Sequence, residues 1–261
     1  MLTIEEIIKN EQKQSNIWLQ KMAQIKNGEI HYSSNFHHYH LLLGIYAISQ
    51  KKYQEAKRHF NLCALIDEFG VKYHNKRFRF FDYSIYSVCF ALLCDNKETI
   101  KRYSKLRYPS FGKMSSMDER VLKGEAPIWC NTIQLLLAND IDTLKRNLHI
   151  LKTSTLKKLT KNEELLKTDF EFYKALYAND KSRCEAVLEQ LVSPKIHKKR
   201  NDDPLLGKYV SQPALGYAKL AWMRGLEVEV KSPLVPKELL PVKPNESYKI
   251  PYDFLKNTEI M

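Results

Sequence analysis

Two short stretches bring together side chains capable of chemistry. In Phe36-His37-His38-Tyr39-His40, His37 and His40 lie three residues apart and share one face of a helix, where two imidazoles can ligate a metal ion. A metal centre needs further ligands, and neither an H-E-x-x-H pattern nor a Cys/His quartet supplies them. The histidines are therefore read as packing and hydrogen-bonding groups near a helix start, with no metal ligand and no cofactor assigned. The second stretch, Lys72-Tyr73-His74-Asn75-Lys76-Arg77-Phe78-Arg79-Phe80-Phe81, interleaves cations with aromatics. Single-stranded nucleic acid is bound by that combination, cations meeting phosphates and rings stacking on bases. The same residues also suit a helix entrance with Phe78 and Phe81 in the core and Arg77 and Arg79 outside, or a protein interface rich in Arg and aromatic anchors.

Reaction machinery is otherwise not in view. The chain contains no G-x-S-x-G elbow, no G-x-x-x-x-G-K-[ST] loop and no G-x-G-x-x-G, and its 8 glycines leave little material for a phosphate cradle of backbone N–H groups. Glu163-Glu164 and Asp202-Asp203 sit in polar surroundings and read as solvated surface. The five cysteines, Cys63, Cys89, Cys94, Cys130 and Cys184, form no C-x-x-C pair and fall in apolar helical patterns, so they are expected to be reduced, buried thiols. No catalytic residue is assigned, and the protein is not expected to be an enzyme.

The elements that must position any binding surface are helices. Leu165 to Val192 reads as a helical hairpin: Leu166, Phe170, Tyr173 and Tyr177 form one apolar stripe, Cys184, Val187, Leu188, Leu191 and Val192 form another, and Ala178-Asn179-Asp180 is the turn between them. Asp180 is placed as N-cap and Ser193-Pro194 as stop. The turn tripeptide recurs at Ala138-Asn139-Asp140, and turns at Lys51, Asn96, Asp140, Asp180 and Gly225 are spaced by 45, 44, 40 and 45 residues. Such spacing predicts helical-hairpin repeats that bury their stripes against one another. Asp82 to Leu93 is β-branched and aromatic enough for a strand, but the turn and helix after it favour a helix. Ser116 with Glu119 predicts a capped short helix, and Pro127 opens the next one.

The expected fold is therefore all-α: stacked helical hairpins in a solenoid-like, TPR-like array with a proline-rich C-terminal tail. Residues 1–261 make a single domain, with 1–28 an N-terminal capping helix, 36–230 the hairpins and 231–261 an extended tail packed on the array. Pro194 to Asp203 is expected to be a solvated basic loop, and five prolines between Pro233 and Pro251 exclude regular helix from the tail beyond a turn at Lys237 to Leu240.

A formal charge of +12 and a pI near 9.3 suit an anionic partner, whether nucleic acid, an anionic membrane surface or an acidic protein, and equally suit a generally Lys-rich surface with no such partner. The first ten residues lack a signal-peptide apolar region, and no apolar run approaches the roughly eighteen residues of a spanning helix, so a soluble, cytoplasmic protein is expected.

The run Gln212-Pro213-Ala214-Leu215-Gly216-Tyr217-Ala218-Lys219-Leu220-Ala221, followed by Arg224-Gly225-Leu226-Glu227-Val228, Val235-Pro236 and Leu239-Leu240, resembles the immunity protein 49 family of bacterial polymorphic-toxin antidotes. The similarity spans roughly residues 126–254, the first half matching in helical character only. It implies an all-α protein that binds and neutralises a cognate toxin by occupying a surface. Lys76, Arg77 and Arg79, with Lys198, Lys199 and Arg200 assisting encounter, are the expected partner-binding residues. The alternative is a helical-repeat adaptor or a nucleic-acid-binding protein that uses the same basic surface.

Overall fold

The computed structural model describes residues 3–24, 34–73, 85–110, 112–201 and 205–256, and no strand occurs among them. The chain is all-α. An opening helix α1 (Ile4–Gln24) starts at a capping box, Glu6 N–H donating to Thr3 Oγ1 and Thr3 N–H to Glu6 Oε2. Its expected stop at Asn27-Gly28 lies outside the described residues.

Five turns then organise the chain. The hairpins are α2 (Ser34–Ser49) with α3 (Tyr53–Tyr73), α4 (Ile85–Leu93) with α5 (Lys97–Lys105), α7 (Pro127–Ala138) with α8 (Ile141–Ile150), and α10 (Leu166–Tyr177) with α11 (Lys181–Val192). A short α6 (Met117–Leu122) precedes α7, and α8 runs through a π-helical stretch at Leu151–Thr155 into α9 (Leu156–Lys158). Later come α12 (Pro194–Arg200), α13 (Gln212–Met223) and α14 (Asp253–Lys256). The turn residues Lys51, Asp95, Asn139, Asn179 and Gly225 all have positive φ, between 55° and 80°. In four of these turns a reversed hydrogen bond closes the end of the helix: Lys52 to Ala47, Asp140 to Leu135, Asp180 to Ala175 and Leu226 to Ala221, each N–H to a carbonyl five residues back. The following helices start on side-chain caps, Asn96 accepting from Glu98 N, Asp140 from Thr143 N and Asp180 from Arg183 N at 3.0–3.1 Å. One local device, a left-handed residue followed by a capping acid or amide, thus builds three of the five turns, at Asp95-Asn96, Asn139-Asp140 and Asn179-Asp180.

Packing adds what the local device cannot. Each hairpin lies against its neighbours, and α13 lies along α4, far from it in sequence, as well as on α11. Gly216 permits that crossing: a Cβ there would come within 2.7 Å of Ile85 Cγ1 and 3.2 Å of Cys89 Cβ. The main core runs through Ile85, Cys89, Trp129, Phe172, Tyr173 and Tyr217, while a smaller one under α14 joins Phe36, Leu62, Ile66, Phe69 and Leu255. Residues 82–93, ambiguous between strand and helix, are helical from Ile85 because α4 is buried against α3, α5, α7 and α13.

The basic stretch after Pro194 differs from expectation. It is not a loop but α12, with Pro194 at the first helical position and His197 N–H closing the turn on Ser193 O at 2.8 Å. Proline ends the preceding helix and is equally suited to start the next, and the basic residues of its last turn sit at the negative end of the helix dipole.

Candidate partner-binding groove

The five cysteines are buried and free. Burial pushes the thiols of Cys63, Cys89, Cys94 and Cys184 up, to about 12 for Cys94 and Cys184, which removes thiolate chemistry at neutral pH. His37 and His40 face different partners. His37 Nε2 is 3.1 Å from Asp67 Oδ2, whereas His40 stands 3.0 Å from His59 Nδ1 and 2.7 Å from Tyr252 Oη. Burial, with His59 and His37 nearby, pulls the His40 pKa down to about 3, so His40 is neutral and knits α2, α3 and the C-terminal segment together. Among the described residues no group of three His, Cys, Asp or Glu is placed to hold a metal.

Of the residues expected to meet a partner, Lys76, Arg77 and Arg79 lie outside the described residues. Lys198 and Lys199 are exposed on α12. Arg200, grouped with them as a surface cation, is instead buried at 5% exposure. It holds Asp169 at 3.0 and 3.1 Å, donates to Leu165 O and Tyr86 Oη at 3.0 Å, and fastens α12 to α10 and α4. The reason is Asp169, a carboxylate in the apolar stripe of α10 that a buried cation must neutralise. An acid on an apolar helix face was the available clue to a buried counter-ion.

A second buried ion cluster sets the course of the C-terminal segment. Asp95, fully buried in the α4–α5 turn, meets Lys57 Nζ at 2.7 Å and Lys219 Nζ at 2.6 Å. Lys219 also donates to the carbonyls of Leu239, Leu240 and Pro241, and Lys57 to that of Lys243. Lys243 N–H returns to Asp95, and Tyr248 Oη donates to Cys94 O. Burial pushes the Lys219 ammonium below the ordinary lysine value, a push that Asp95 opposes. Residues 239–248 are thereby strapped across the α4–α5 turn. Lys219, a lone cation in the apolar run of α13, was legible as a group needing a partner; which partner was not.

Beside this clasp, the ends of three helical units come together. Arg224, just after α13, donates to Asn139 Oδ1 of the α7–α8 turn at 2.6 Å. Between them, α5 and the strapped segment, lies a groove of about 480 Å³. Its rim carries Lys97, Lys101 and Lys105 from one face of α5 together with Arg224. Apolar contact comes from Ile100, Leu137, Met223 and Val242. The acid on its lining, Asp95, is already neutralised from behind, and the hydroxyl, Ser104, donates to Lys101 O at 2.9 Å. Such a lining offers a partner cations around an apolar floor. Lysines at i, i+4 and i+8 were visible in the sequence, but the floor is assembled from segments more than a hundred residues apart.

These features define an all-α helical-hairpin protein whose accessible special surface is a basic, partly apolar groove. The family model for immunity protein 49 matches residues 38–239, and the chain belongs to that family. The match takes in α2 to α5, so the relationship extends well N-terminal of residues 126–254, where the resemblance was carried. The same comparison against curated proteins and against solved structures finds no match.

Proposed function

We propose that this protein neutralises a cognate bacterial toxin by stoichiometric binding, without catalysis of its own. Membership of the immunity protein 49 family over residues 38–239 is the observation that carries this reading. A net charge of +12 supports an acidic target surface, since long-range attraction accelerates encounter of opposite charges. Among the described residues no helix is long and apolar enough to cross a membrane, and the site of action we infer is the cytoplasm. Lys198 and Lys199, exposed at the end of α12, are assigned to encounter, and Lys76, Arg77 and Arg79 to part of the partner-binding surface.

Restraining a lethal enzyme calls for nanomolar affinity or better, about −12 kcal/mol. Co-expression with the product of the adjacent gene tests the reading directly. The expected result is a complex of fixed stoichiometry that survives purification and a growth defect relieved in proportion to binding. A neighbour that is not toxic, or is toxic yet neither bound nor neutralised, removes the antidote reading. Weak, partner-indifferent and steeply salt-dependent binding to nucleic acid would favour the helical-repeat alternative instead.

A further inference from the structure

Lys97, Lys101 and Lys105 lie one turn apart along α5, all exposed, and none of them forms an ion pair among the described residues. Like charges at i, i+4 disfavour a helix, so the stripe is not there to hold α5 together. Nor is it compensated from below. The nearby carboxylate of Asp95 is shared between two other lysines, Lys57 and Lys219, and has no charge left to offer. Arg224 completes the rim in a fixed pose, one N–H held by Asn139 Oδ1. No carboxylate among the described residues pairs with it. An arginine oriented in advance loses less freedom on binding, and arginine is among the residue types that dominate interface energies.

We propose that this groove is the seat of the cognate toxin, and that its occupant is a toxin segment with one apolar side chain flanked by carboxylates; the inference rests on the antidote reading above. The stripe runs about 12 Å, with lysines about 6 Å apart, given a rise of 1.5 Å per helical residue. Carboxylates at i and i+4 of a helix, or at i and i+2 of a strand, match that interval. The apolar side chain enters between the lysines and Val242, which is 42% exposed and otherwise an unfavourable surface group. Among the described residues no aromatic side chain lines the groove, and these supply no stacking platform of the kind that single-stranded nucleic acid uses.

The test compares complexes of the co-expressed toxin with the parent chain and with Lys101→Glu, Val242→Asp, Arg224→Ala and Lys198→Glu/Lys199→Glu, measuring association and dissociation rates at two salt concentrations. Lys101→Glu should slow association by about tenfold at low salt, with the difference shrinking at high salt. Val242→Asp and Arg224→Ala should speed dissociation by roughly tenfold or more, whereas the α12 double reversal should alter association alone. Parental dissociation rates for both Val242→Asp and Arg224→Ala, with the parent complex intact, would overturn the groove assignment and leave the antidote reading standing. Absence of any parent complex would overturn both. Binding of a short thymidine oligonucleotide that Lys101→Glu abolishes would also overturn it, because the groove would then be serving a different polymer. Lys101 and Val242 are on the surface, and unchanged melting temperatures for their variants would tie the rate changes to the groove.

Discussion

Lys57 and Lys219 on one side of the α4–α5 turn, and Lys97, Lys101 and Lys105 on the other, are chemically the same residue used in opposite ways. The first two are 4% and 0% exposed, share Asp95, and also donate to backbone carbonyls of the strapped segment, Lys57 to one and Lys219 to three. The other three stand in solvent with no internal partner among the described residues. Burial forces the first pair to find internal partners, so it decides where the chain goes; exposure relieves the second set of that requirement and leaves its charge available to another molecule. Net charge by itself therefore overstates the surface offered to a partner. Arg200 shows the same thing on α12, where one of three adjacent cations is internal.

The comparison breaks most visibly at Asp95. Asp95→Asn keeps a residue that tolerates positive φ but leaves two buried ammonium groups uncompensated, and should cost about 3–5 kcal/mol in urea unfolding. A loss of about 1 kcal/mol or less would mean that the cluster is open to water. His40 provides the next largest effect, as a buried group that excludes charge altogether. Its folded pKa of about 3 lies below the ordinary 6.5, so the unfolded chain takes up the proton first on acidification. The stability this group confers is complete above pH 6.5 and is lost as pH falls towards 3, amounting to about 2 kcal/mol by pH 5. Unfolding of His40→Gln, each pH referred to its own value at pH 7, should show a shallower fall over that range. A slope identical to that of the parent would place the acid sensitivity elsewhere.

Smaller effects sharpen the contrast. Asp180→Ala and Asp140→Ala each remove a cap from an equivalent turn and should each cost about 0.5–2 kcal/mol, a similarity that thermal melts of the pair can check. The smallest change is expected at Lys101. Lys101→Glu creates opposite charges with both Lys97 and Lys105, so stability should move by no more than about 0.5 kcal/mol, and upward. A clear destabilisation would show that the stripe has a structural role.

Much of the fold was decided by local chemistry. The period of Leu166, Phe170 and Tyr173, the caps Asp140 and Asp180, the box at Ser116 and Glu119, and the proline at 127 each act within a turn or two of chain, and each appears in the structure as its spacing dictates. Pro194 was ambiguous for the same reason, because one proline can end a helix and begin another. Lys219 and Asp169 could be recognised as polar groups in apolar stripes and hence as groups in need of partners. Their partners, Asp95 and Arg200, could not be named, since burial and charge demand a counter-ion without specifying its position in the chain. The groove lies furthest from local rules: α5 supplies its lysines, but Leu137, Met223 and Val242 reach it only once α13 has packed on α4 and the C-terminal segment has been tied to Asp95. Apart from α4 and α12, sequence alone determined where the assigned helices start, stop and turn, because those events are settled by neighbours along the backbone. Tertiary structure alone decided which cations are internal and which face a partner, because that depends on what each side chain meets across space.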